Sequence, residues 1–134
     1  MMIIIDSEEL DPMVFKLLSY ATSTSKVRDE YDLYVHNPQR ILYGYETNGF
    51  LVRCIGIEII DPDECEIKHI AVAEEQRARG IGKKMINYIN REYKSIIAET
   101  DEDAVVFYEE YGFTVLSPGA VYPGVERFNC KFKR

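Results

Sequence analysis

The hydrophobic pattern changes period several times along the chain. Residues 3–5 are β-branched isoleucines that stop at Asp6-Ser7, which predicts a first strand. Asp11-Pro12 then supplies a cap and a proline at the first helical position, and Val14, Leu17, Leu18 and Ala21 follow at helical spacing. A polar break covers residues 22–25. A second helix is predicted from Lys26 to about Tyr34, ended by Asn37-Pro38.

Residues 41–45 alternate, and Asn48-Gly49 is a strong tight-turn signal. Residues 50–60 form a long β-rich run closed by Asp61-Pro62-Asp63, and residues 66–72 form another. These three runs predict an antiparallel meander. Over residues 80–93 the period becomes helical, with Ile81, Met85, Ile89 and Tyr93 in one stripe joined by Ile86. A short strand at 95–98 and a short helix at 104–111, capped by Gly112, follow. Residues 113–116 and 126–132 read as closing strands around a Pro/Gly loop at 117–124. The order β-α-α-β-β-β-α-β-α-β-β predicts an α+β fold with α/β-type layers, a mixed central sheet of six to seven strands and about four helices on its faces. With 134 residues and no linker or repeat, the chain is expected to be one domain, 1–134.

The chain carries 16 Lys+Arg against 23 Asp+Glu, a formal net charge of −7. That argues against nucleic acid and against anionic membrane surfaces, both of which need clustered cations. Cys54, Cys65 and Cys130 are widely spaced, with no CxxC, and His36 and His69 are the only histidines. Free, mostly buried thiols in a reducing compartment are expected, and no metal site. The apolar start has no basic leader and is too short for a membrane span, so the protein is expected to be soluble and cytoplasmic.

Against that acidic background, residues 77–94 hold six of the sixteen basic residues. The segment Arg77-Ala78-Arg79-Gly80-Ile81-Gly82-Lys83-Lys84 lies between a predicted strand and a predicted helix. Two glycines two residues apart let a ligand approach the backbone, and the free N–H groups of a helix start favour an anion. A pyrophosphate is the natural occupant. The segment is neither a GxxxxGK[ST] loop nor a GxGxxG turn. A glycine-punctuated turn with a solvated basic face is the plain alternative.

Arg77-x-x-Gly80-x-Gly82 resembles the R/Q-x-x-G-x-G/A acetyl-CoA signature of the GNAT superfamily of N-acetyltransferases. Residues 67–72, Ile-Lys-His-Ile-Ala-Val, resemble that family's fourth strand. Residues 101–113 are similar to its second signature, N-x-x-A-x-x-[FL]-Y-x-x-x-G-F, with Asp101 where many members have Asn. Two signatures in order are more specific than either alone. The resemblance covers the whole chain in element order and residues 64–113 in detail.

The resemblance implies a sheet splayed between its fourth and fifth strands, with the pantetheine arm of acetyl-CoA in the opening. Backbone groups of Ile70 and Val72 would pair with that arm, and the amides of Ala78, Arg79, Gly80, Ile81, Gly82 and Lys83, with Arg77, would hold the pyrophosphate. Asp101 belongs to the same cofactor-binding set. The acceptor, a small-molecule or protein amine, would attack the thioester directly in a ternary complex. A homodimer is common in the family.

Tyr108 is the residue expected to protonate the departing CoA thiolate, since a phenol near the sulfur can supply a proton. Glu66 is the expected base. It lies 80 − 66 = 14 residues before the first motif glycine, which resembles the catalytic glutamate of histone-type members. Alternation along a strand predicts that Glu66, Lys68, Ile70 and Val72 share a face. Lys68 is a complication, because an adjacent cation makes a carboxylate a weaker base. Glu58, Glu99 and water are alternatives. His69, adjacent to two apolar residues, reads as a hydrogen-bonded core or edge histidine, and Cys65 as a buried inert thiol. The leading reading is an acetyl-CoA-dependent N-acetyltransferase. The alternative is a CoA-binding sensor of the same fold with weak turnover, against which the presence of both Tyr108 and Glu66 counts.

Overall fold

The computed structural model describes residues 1–73, 81–118 and 127–134. Its elements run β1 (Met2–Ile4), α1 (Pro12–Leu18), a 3-10 turn (Thr24–Lys26), α2 (Val27–His36), β2 (Arg40–Thr47), β3 (Phe50–Asp61), β4 (Glu64–Val72), α3 (Ile81–Glu92), β5 (Ser95–Asp101), α4 (Glu102–Tyr111), β6 (Thr114–Pro118) and β7 (Arg127–Lys133). The predicted order is the observed one. The strands β2, β3, β4 and β5 extend past their predicted ends, because cross-strand pairing continues where the local apolar signal fades.

Local chemistry sets the boundaries. Asp11 caps α1, its side chain accepting from the Met13 N–H at 2.7 Å, with Pro12 following. Asn48 (φ 52°) and Gly49 (φ 80°) close the β2–β3 hairpin with both residues left-handed, as a tight primed turn requires. Gly112, at φ 124°, ends α4 and donates its N–H to the Tyr108 and Glu109 carbonyls.

The seven strands form one sheet in the order β1-β2-β3-β4-β5-β7-β6. All neighbours are antiparallel except β4 and β5, which the α3 crossover makes parallel. The β4–β5 ladder covers only Glu64↔Ser95, Cys65↔Ile96, Glu66↔Ile97 and Ile67↔Ala98. Beyond Ile67 and Ala98 the two strands part, which is the expected splay.

Each face of the sheet has its own core. On one face Ile55, Ile57, Cys65, Ile67, Met85, Ile86, Ile89, Ile96, Ala98 and Tyr108 pack beneath α3 and α4. On the other, Leu42, Cys54 and Ala71 pack beneath Val14, Leu17 and Leu18 of α1 and Val27, Tyr31 and Tyr34 of α2. The stripe Met85, Ile89 and Tyr93, with Ile86, is buried as its period requires. The three cysteines are free and buried.

One irregularity decides how the site is built. In the β3–β4 ladder Gly56 pairs with His69, but the next residue, Ile57, pairs with Ile67. Lys68 is therefore an extra residue, a bulge in β4 at the point where β5 leaves. A bulge shifts alternation by one. Before it, Cys65 and Ile67 point to the α3/α4 core. After it, Ile70 and Val72 do. Glu66 pairs with Glu58 on the opposite face, the α1/α2 side. The expectation that Glu66, Ile70 and Val72 share a face is therefore corrected, because simple alternation does not survive an inserted residue.

Candidate active site

The candidate site is the place where β4 and β5 part. Two of the predicted chemical groups lie on opposite faces of the sheet. Tyr108 on α4 is 4% exposed, with its ring against Phe107 and Phe113 at centroid distances of 5.2 and 5.1 Å. Burial raises its hydroxyl well above the ordinary phenol value, and nearby Cys130 and Asp101 push the same way. The phenol is thus held in its protonated, donating form. It stands on the α3/α4 face, in the core that also holds Ala98 at the end of the ladder.

Glu66 stands on the other face, with its carboxylate 2.9 Å from the Lys68 ammonium. Lys68 also reaches Glu58 at 3.9 Å, and Glu58 is held by Arg40 at 3.1 Å. Arg40 continues to Glu30 of α2 at 3.3 Å. Glu30 faces the Nε2 of His69 at 3.8 Å, and the Nδ1 of His69 shares a hydrogen bond with the Tyr34 hydroxyl. Tyr34, His69, Glu30, Arg40, Glu58, Lys68 and Glu66 are thus one connected polar network across α2, β2, β3 and β4.

His69 is 8% exposed, and burial holds its imidazole below the ordinary histidine value. It is the hydrogen-bonded core histidine that its apolar neighbours suggest. Tyr34 reaches it by lying directly over Gly56, where a β-carbon would sit 2.0 Å from the tyrosine hydroxyl. No larger residue fits at 56 without displacing that ring. Cys65 is buried, and its thiol is pushed up to about 12, so it carries almost no thiolate near neutral pH. A covalent route through it has no support.

The cofactor-binding set is only partly in view. Arg77, Ala78, Arg79 and Gly80 lie outside the described residues, as does the 119–126 part of the loop expected to meet the acceptor. Ile81, Gly82 and Lys83 open α3, and Lys83 is exposed. Gly82 has a second reason to be glycine: a β-carbon there would meet the Phe107 ring at 2.9 Å. Ile70 and Val72 pair with Ile55 and Arg53 of β3, past the end of the β4–β5 ladder. Asp101 is the N-cap of α4, accepting from the Ala104 N–H at 2.9 Å. Its position in the second signature is therefore met by a capping role.

Sequence reasoning missed Glu30, Arg40 and Tyr34 as members of the site. They come from α2 and β2, carry no motif, and are joined to β4 only by the fold. It also missed Arg53, which is 5% exposed and stacked 3.7 Å over the Tyr45 ring, with its charge disfavoured by burial. Among the described residues no group of three or more His, Cys, Asp or Glu is placed to hold a metal, and no helix is long and apolar enough to cross a membrane.

The acetyltransferase (GNAT) domain family model matches residues 38–115, more than half of the chain, so the chain belongs to the GNAT acetyltransferase family. Solved structures share the fold across nearly the whole length. A GNAT family acetyltransferase from Elizabethkingia anophelis, with acetyl-CoA bound, is 20% identical, with a TM-score of 0.75, covering 100% of this chain and 97% of that one. The aminoglycoside 6′-N-acetyltransferase from Enterococcus faecium is 19% identical with a TM-score of 0.75, covering 98% and 96%. A Bacillus subtilis acetyltransferase in complex with CoA is 17% identical with a TM-score of 0.75, covering 99% and 97%. No curated protein matches the chain.

Proposed function

We propose that the protein transfers the acetyl group of acetyl-CoA to an amine by direct attack in a ternary complex, residues 1–134 acting as one catalytic domain. The observation that carries this reading is the β4–β5 ladder ending at Ile67↔Ala98, with Glu66 on one face of the opening and Tyr108 on the other. In the proposed complex the pantetheine arm lies along β4 past Ile67, at Ile70 and Val72, and the pyrophosphate meets the 77–83 segment at the start of α3. The CoA-bound and acetyl-CoA-bound relatives of the same fold support that placement.

The chemistry divides between the two faces. The acceptor enters on the α1/α2 face, where Glu66 takes a proton from the ammonium. The neutral amine attacks the thioester carbonyl. The tetrahedral adduct gives its second N–H proton to solvent, and the C–S bond breaks toward the α3/α4 face, where Tyr108 gives its proton to the thiolate. The aminoglycoside acetyltransferases among the relatives support a small-molecule amine as acceptor.

The test is free-thiol release from acetyl-CoA across a panel of amines, with the acetylated amine identified by mass spectrometry. Turnover supports the enzyme. Tight CoA binding with no transfer to any amine would favour the sensor of the same fold.

A further inference from the structure

The charges around the opening narrow the acceptor class, an inference that rests on the acetyl-transfer reading above. Although the chain is acidic overall, the α1/α2-side face of β4, β5 and β7 is not a carboxylate surface. Among the described residues there, Glu66 is paired with Lys68 at 2.9 Å, Glu64 with Lys131 at 3.3 Å, and Glu99 with Arg127 at 3.3 Å. Asp101 is occupied as a helix cap. Among the described residues of these three strands, a polycation would find no uncompensated row of carboxylates.

The pair at the end of the ladder is the informative one. The Glu66 and Lys68 side chains are 23% and 27% exposed, so the pair is partly shielded from water. They stand side by side where β4 and β5 part, with Lys68 as the bulged residue. A simple amine seated on Glu66 as its ammonium displaces Lys68 from its nearest partner. Lys68 is then left with Glu58 at 3.9 Å, a carboxylate that Arg40 already holds at 3.1 Å. Stripping a half-buried cation of its partner is unfavourable. An acceptor that carries its own carboxylate beside the amine avoids this, replacing one ion pair by two.

We propose that the acceptor is zwitterionic, of the α-amino-acid class, with its ammonium on Glu66 and its carboxylate on Lys68. After proton loss to Glu66, the nitrogen attacks the thioester carbon and the C–N bond forms; the tetrahedral adduct gives its second N–H proton to solvent as the C–S bond breaks, and the thiolate takes the Tyr108 proton. Solvent restores the Tyr108 proton and removes the one on Glu66. The amide product has no ammonium to hold Glu66. Lys68 then returns to its carboxylate, which favours release.

The experiment compares kcat/KM for thiol release with the proteinogenic α-amino acids, their carboxamides, their decarboxylated amines and linear polyamines. The best amino acid is expected to exceed its carboxamide and its decarboxylated amine by about tenfold or more. Lys68→Met should abolish that preference and Lys68→Arg should restore it, with CoA affinity held in both. Equal or faster turnover of the carboxamides, amines or polyamines, or a preference that survives Lys68→Met, overturns the zwitterionic acceptor while leaving acetyl transfer standing. If none of these acceptors releases thiol but another amine does, the zwitterionic acceptor alone is overturned; absence of release with every amine tried, proteins included, overturns the acetyl-transfer reading itself.

Discussion

The ring of Phe107 on α4 lies against Gly82 in the first turn of α3, where a β-carbon would stand 2.9 Å from its Cζ and 3.0 Å from its Cε1. The glycine of the anion motif therefore also joins the two helices, one residue before Tyr108. Gly82→Ala should cost about 1–3 kcal/mol by crowding that ring. In a Phe107→Leu background the cost should shrink, and thermal denaturation in a double-mutant cycle measures the coupling. Equal costs in both backgrounds would contradict the contact.

The same contact refines the test of the pyrophosphate site. Gly82→Asp adds both bulk and negative charge, and Gly82→Ala adds bulk alone. The difference between their CoA affinities isolates the charge. It should be about tenfold or more, roughly 1.4 kcal/mol, and should shrink as salt is raised. Calorimetry showing the same affinity for both variants would place the phosphates elsewhere.

Tyr108→Phe keeps the ring packing against Phe107 and Phe113 and removes the proton donor. It should lower kcat by about a hundredfold or more while CoA binding holds. Wild-type turnover from this variant would reduce Tyr108 to packing.

Glu66→Gln keeps the shape of the side chain and removes its basicity. Transfer should fall in kcat/KM by about a hundredfold, with CoA affinity unchanged. An unaltered rate would move the base to Glu58, Glu99 or water.

His69 supplies a stability signature. Burial holds its folded-state value below the ordinary one; Glu30 opposes this, and Arg40 and Lys68 reinforce it. As pH falls through about 6.5 the unfolded chain takes up this proton first, so the unfolded state binds more protons and stability is lost. The stabilisation is present above that pH and disappears below it. The melting temperature should drop between about pH 7.5 and about pH 5.5, and His69→Gln should flatten that slope. An identical slope in the variant would show that His69 is not the titrating group.

The order of elements was legible because each carries its signal in a short window. Asp11-Pro12, Asn48-Gly49 and Gly112 act through their own backbone, and the Met85, Ile86, Ile89 stripe needs only a helical period. The position of the opening was legible only through the resemblance to a family. The bulge at Lys68 was not legible, because nothing within residues 64–72 sets register against β3, which is a property of the assembled sheet. That single residue reverses which side chains beyond it face each side of the sheet. Tyr34 and His69 are 35 residues apart in sequence and meet over Gly56, so no local pattern joins them. Glu30 and Arg40 reach the site by the same route, through α2 and β2 packing on the sheet.

The central claim is that this cleft moves an acetyl group from acetyl-CoA to an amine. The most direct measurement follows free thiol and acetylated amine together, for the wild type and for Tyr108→Phe. The account predicts one thiol released per amine acetylated in the wild type, and a steep loss of both in the variant with CoA still bound. Thiol release without an acetylated amine, or no release from a wild type that binds CoA, would contradict it.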